Sequence, residues 1–191
     1  MRLLKDLILN PVNVIKEAKR KKDINKSFMV LLINSILLFF SFLLFTYPSS
    51  LIRLEYKIGI SFIVFVLNVF GAILLSFFLE LIFSILGGKG KFYEGLTSVS
   101  YAEFPLSLAL FISSLFFQIP GIGLLLSSVL LTIFGLISLS SWLRAIKEFF
   151  DVDWIVVWIG ICVIGTSLVI AIYLTILGLA LSNPSFLTTF Q

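Results

Sequence analysis

The sequence predicts an all-α, polytopic membrane protein: a bundle of five transmembrane helices preceded by a short amphipathic helix at the membrane interface. Three observations carry this. Sixty per cent of the 191 residues are hydrophobic and only 13% are charged, with a mean hydropathy of +1.16, whereas charged residues make up roughly a quarter of a soluble domain. Five apolar runs reach the length of about 20 residues that crosses roughly 30 Å of hydrocarbon. Lysine and arginine fall almost entirely on one side of these runs. The chain divides into a basic segment, 1–26, and a membrane domain, 27–191, with no room for a separate soluble domain. With one cysteine, Cys162, inside an apolar run and no histidine, disulfide frameworks, zinc sites and histidine acid–base chemistry are not expected.

The N-terminal segment does not read as a cleavable signal peptide, because its apolar stretch from Leu3 to Leu9 is short and a basic run follows instead of a small-residue cleavage site. Asn10-Pro11 fits the cap and first position of a helix in which Val12, Ile15 and Ala18 share one face and Lys16, Lys19 and Lys22 another. Such a helix lies in the cytoplasmic interface, its basic residues (Lys19, Arg20, Lys21, Lys22) drawn to anionic headgroups at about 1 kcal/mol per charge. The same lysines also serve topology.

The five runs are 27–47, 58–86, 96–117, 122–146 and 154–181. Lipid offers the backbone no hydrogen-bond partner, so each run is a helix. The second and fifth approach 30 residues, about 40 Å, and are expected to tilt. Counting five rests on Gln118-Ile-Pro-Gly-Ile-Gly123, where Pro120-Gly121 suits the centre of a type II turn joining spans three and four. Twelve of the fourteen basic residues lie before span one, after span two and after span four; only Arg53 and Lys57 lie opposite. The positive-inside tendency then puts the N-terminus in the cytoplasm and the C-terminus outside, with Trp142, Trp154 and Trp158 near the interface.

Gly87 to Pro105 is the region where function is expected. GGKGK lacks the spacing of a phosphate-binding P-loop and leads into a membrane helix instead of following a strand, so nucleotide binding is rejected. The loop reads instead as a cytoplasmic turn whose Gly87, Gly88, Lys89 and Lys91 contact a protein partner or lipid headgroups. Glu80, Glu103 and Arg144 lie inside apolar runs, where a charge must be neutral, paired or turned to a cavity. Counted from the ends of the runs, Glu80 and Glu103 lie about 9 and 10 Å deep, so with Arg144 and Tyr101 they are expected to form one intramembrane polar cluster, the Arg144 guanidinium either reaching down to a carboxylate or snorkelling up to the headgroups. Two roles stay open: a proton-linked or cation-binding site of a small transporter or channel, and a packing clasp in which the glutamates bond Ser84, Ser98, Tyr101 or Ser107. The clasp is favoured, because polar residues thin out toward the far side. Asp151 and Asp153 lack a third ligand nearby, so no metal and no cofactor are expected, nor is a nucleic-acid partner. Small residues in spans four and five suit close helix packing, which a second copy would extend.

The order of these features resembles the Yip family of five-span membrane proteins, relatives of the Rab-interacting Yip and Yif proteins. Four motifs carry the likeness: Leu9-Asn10-Pro11, a long second span ending in Gly87-Gly88-Lys89-Gly90, Tyr101 four residues before Pro105, and Ser141-Trp142-Leu143-Arg144 closing span four. The resemblance implies membrane organisation or trafficking through protein contacts, without catalysis. Eukaryotic members of the family carry a longer cytoplasmic N-terminal region with an aromatic-Gly-Pro motif tied to GTPase binding. That motif is missing here, which fits a prokaryotic relative in the cell membrane.

Overall fold

A computed structural model describes residues 2–9, 11–21, 23–46 and 53–182, which form seven α-helices. They are α1 (Arg2–Leu9), α2 (Pro11–Lys21), α3 (Ile24–Thr46), α4 (Leu54–Ile85), α5 (Phe92–Phe116), α6 (Gly123–Phe150) and α7 (Trp154–Ser182). Helices α3 to α6 are long and apolar enough to cross a membrane, and α7 adds a shorter apolar helix over Trp154–Ser167. The molecule is a polytopic helical bundle, and no strand occurs among the described residues.

Helix α5 is the axis of the bundle. Of the four long helices it is the most buried, packed between α3, α4 and α6. Small residues make this position available: a Cβ added at Gly95 would come within 2.8 Å of the Ser76 carbonyl oxygen, so the α4 and α5 backbones approach closely only because glycine stands there. The outer helices turn Phe62, Phe70 and Phe77 of α4 and Leu125, Val129 and Leu136 of α6 outward. In water such a surface would drive aggregation; in a bilayer it is the lipid-facing side.

The helices α4 and α5 each start four residues before the expected runs. Helix α5 begins at Phe92 because Glu94, at its third position, accepts the Lys91 backbone N–H at 2.8 Å and the Tyr93 hydroxyl at 2.6 Å. This carboxylate satisfies a backbone donor left over at the helix start and is buried in doing so. At the far end of α5, Gly121 takes the left-handed backbone (φ +84°) that a turn after proline demands and other residues resist.

Helices α1 and α2 fold onto one end of the bundle. Pro11 stands at the first position of α2, as its missing N–H favours. Leu7, Val14 and Ile15 are 1%, 7% and 2% exposed, so the apolar faces of both helices meet protein, α1 against α5 and α2 against α6. Lys16, Arg20 and Lys21 remain exposed. Lys22 and the side chain of Val12 lie outside the described residues.

Candidate functional site

Three separate segments are tied into one surface at the end where α1 and α2 sit. The turn after α4 is built by hydrogen bonds: Gly88 N–H donates to the Phe83 carbonyl at 2.7 Å and Gly87 N–H to the Ser84 carbonyl at 3.3 Å, with Gly87 left-handed at φ +87°. This is a Schellman helix end, which needs glycine at that position. The chain then crosses to the end of α6, where Lys89 N–H donates to the Phe150 carbonyl at 2.9 Å and Lys89 Nζ lies 3.9 Å from Asp151. A Cβ at Gly90 would run into the Phe150 ring, so this glycine allows the loop to lie against α6. The N-terminal segment joins from the other side through a hydrogen bond from Lys19 Nζ to the Glu148 carbonyl, and Lys147 Nζ sits 4.8 Å above the Trp154 ring. The glycines of GGKGK thus serve helix termination and close packing.

A cleft of about 490 Å³ opens in this surface between α1, α2, α3 and α5, lined by Asp6, Glu17, Lys21, Asp23, Lys26 and Tyr101 among others. Lys21 pairs with Glu17 at 2.5 Å and Lys26 with Asp23 at 2.8 Å. Asp23 Oδ1 also accepts the Lys26 backbone N–H at 3.3 Å, capping α3. The Lys26 ammonium hydrogen-bonded to it holds the Asp23 carboxyl below the usual aspartate range. Tyr101, 3% exposed, packs beside Leu7, Val14, Val30 and Phe104. It faces the N-terminal helices and not the Glu103 side, since residues two apart on a helix point in different directions.

The expected four-residue intramembrane cluster is not brought together. Glu103 lies eleven residues beyond Phe92, about 16 Å into α5, whereas Glu80 is five residues from Ile85, about 8 Å from the end of α4. The difference from one shared depth arises because α5 begins earlier than its apolar run. Arg144 is exposed, and none of the ion pairs among the described residues joins it to either glutamate.

Glu103 has other partners. Asn34, fully buried on α3, donates from Nδ2 to the Ser100 carbonyl at 2.8 Å and to Glu103 Oε2 at 3.4 Å. Asn68 of α4 also faces the carboxylate and donates to Ser35 Oγ at 3.1 Å. Pro105 lies inside α5 and cannot donate to the Tyr101 carbonyl. Next to that loosened turn, Ser138 of α6 donates to the Ala102 carbonyl at 2.5 Å. Four helices therefore meet around Glu103 through hydrogen bonds, the form of adhesion left to helices in lipid. Beside it is a cavity of about 800 Å³ between α4, α5, α6 and α7. Asn34, Asn68 and Glu94 were not singled out from the sequence; amides inside apolar runs and a glutamate at the third helical position were the available signals.

A family model for the Yip1 domain matches residues 5–180. The chain belongs to the Yip1 domain family. No curated protein and no solved structure matches it. The matched residues take in the N-terminal helices and the glycine turn together with the bundle, so the Yip1 domain here is a multi-pass membrane unit in which the basic end is part of the fold.

Proposed function

We propose that this Yip1 domain protein is a non-enzymatic membrane scaffold or adaptor that acts in membrane organisation or trafficking through its basic end, with that end and the N-terminus in the cytoplasm. One observation carries the reading. Helix α2, the Gly87 turn and the α6–α7 corner are joined by backbone and side-chain hydrogen bonds into one surface, with α1 packed against α2 and α5, while Lys16, Arg20, Lys89 and Lys91 point outward from it. Holding a cationic surface rigid is of use for recognising anionic partners, since electrostatic complementarity governs encounter and register. Anionic headgroups lie beside the same surface and contribute to its placement.

The test is crosslinking in native membranes from a photoreactive residue at Lys89, in the natural chain and in a variant carrying Lys16→Glu and Arg20→Glu. The expected result is a defined adduct with a cytoplasmic or membrane protein that disappears in the variant. Adducts to lipid or to a second copy alone would contradict the adaptor reading. The transport reading has less support: Glu80 does not line the cavity that Glu103 faces, so the two carboxylates share no path among the described residues. A pH-driven flux in reconstituted protein, lost on Glu103→Gln, would favour it instead.

A further inference from the structure

The cavity beside Glu103 is more than a packing flaw. Its volume of about 800 Å³ lies within the range of roughly 300–1,000 Å³ found for small-molecule sites. Most of its wall is aliphatic or aromatic, with Phe78, Leu106, Leu139 and Trp142 prominent, and its polar side chains include Glu103, Asn68 and Ser138. A mostly apolar wall with a few convergent polar groups is the pattern by which proteins hold and orient a ligand.

We propose that this cavity binds an uncharged, single-chain lipid bearing a hydroxyl head, a long-chain alcohol, with the hydroxyl donating to the Glu103 carboxyl and the chain lying against α4 and α6. The chemistry of the wall selects this class. No lysine or arginine lines the cavity among the described residues, so a phosphate or carboxylate head would meet Glu103 with no counter-charge. Ordinary phospholipids hold their heads at the interface, whereas Glu103 lies about 16 Å into α5, where only their tails reach. A cationic head would have to be desolvated at mid-membrane, at a cost a hydroxyl does not meet. A carboxyl accepts a hydrogen bond from a hydroxyl whether or not it is ionised. Asn34 holds Glu103 from α3, a helix that contributes no lining residue to the cavity among the described residues, and so positions the acceptor.

Two glycines supply an independent handle. Gly71 and Gly135 both line the cavity, and a Cβ added at either meets nothing within 4 Å. A larger side chain there enters the open space and removes a helix-weakening glycine, leaving Glu103 and its partners in place.

The experiment uses the full-length protein in phosphatidylcholine nanodiscs with a photoactivatable, alkyne-tagged long-chain alcohol as probe. The matching fatty acid and a tagged phosphatidylcholine of the same chain length serve as comparisons. The proposal predicts labelled peptides from α4, α5 and α6 that exceed those from either comparison probe at least five-fold, and that excess untagged alcohol competes away. Glu103→Leu and Gly135→Leu are each expected to lower the competable labelling at least five-fold, and Gly135→Leu to do so with a thermal midpoint no lower than that of the natural chain. Equal labelling by all three probes would show the cavity to be filled by acyl chains without head recognition. Unchanged labelling in Gly135→Leu would place the bound alcohol elsewhere. Either result overturns the proposal.

Discussion

Asn34 and Glu103 approach to 3.4 Å at mid-height of the bundle, and hydrogen bonds between helices in lipid contribute about 0.6 kcal/mol on average and up to about 2. Asn34→Ala is expected to lower stability by about 1 kcal/mol, read as the shift in a denaturant titration of the micellar protein. Glu103→Gln keeps an acceptor and is expected to stay within about 0.5 kcal/mol. Asp23 gives a pH prediction. Its pKa is depressed in the folded chain by Lys26, so its contribution to capping α3 is complete above the ordinary aspartate range and lost as pH falls through the folded value. Amide protection in the first turn of α3 should fall over that acidic window, and Asp23→Asn, which still caps, should remove the dependence. At this scale the sequence was legible where a residue must be glycine or proline and poorly legible where it must find a partner. Pro11 and Gly121 could be placed from their backbone preferences alone. The neighbours of Glu103 could not, because pairing depends on how each helix is rotated about its axis.

Rotation is the information that lipid removes at the level of elements. A helix in water shows its inner face by its apolar stripe, but a spanning helix is apolar on both sides. Thus α4 and α6 could be delimited to within a few residues, while which of their side chains meet α5 could not be read. Depth alone leaves Arg144 either direction, up to the headgroups or down to the glutamates, and its side chain turns outward. Helix α2, which lies outside the apolar runs, does carry a stripe, and its Ile15 is buried against the bundle. Ile15→Asp should therefore undock α2, making residues 11–26 sensitive to limited proteolysis while the long helices stay protected. The glycine turn makes a second prediction at this scale. Gly87→Ala forces a left-handed alanine, at about 1–2 kcal/mol, and Gly90→Val drives a side chain into Phe150. Both should increase hydrogen exchange of the 87–91 turn and of the α6–α7 corner together, because the Lys89–Phe150 backbone bond links them.

Across the whole molecule, the basic segments expected on one side of the membrane do gather at one end of the bundle, held there by contacts among α1, α2, the Gly87 turn and the end of α6. The turn at Gly121 and the start of α4 lie at the other end. Charge asymmetry was readable in the sequence because it is a property of loops and needs no knowledge of helix rotation. That the basic segments would be fastened to one another was not, since the fastening uses main-chain groups such as the Phe150 and Glu148 carbonyls. The claim that this fastened basic end is the cytoplasmic, partner-facing surface is tested most directly by cysteine accessibility in intact cells. Single cysteines would replace Lys16, Lys89, Asp153, Arg53 and Gln118 in a Cys162→Ala background and be exposed to a membrane-impermeant maleimide. Labelling of positions 53 and 118 is expected in intact cells, and of positions 16, 89 and 153 only after permeabilisation. Labelling of 16, 89 or 153 in intact cells would contradict that claim.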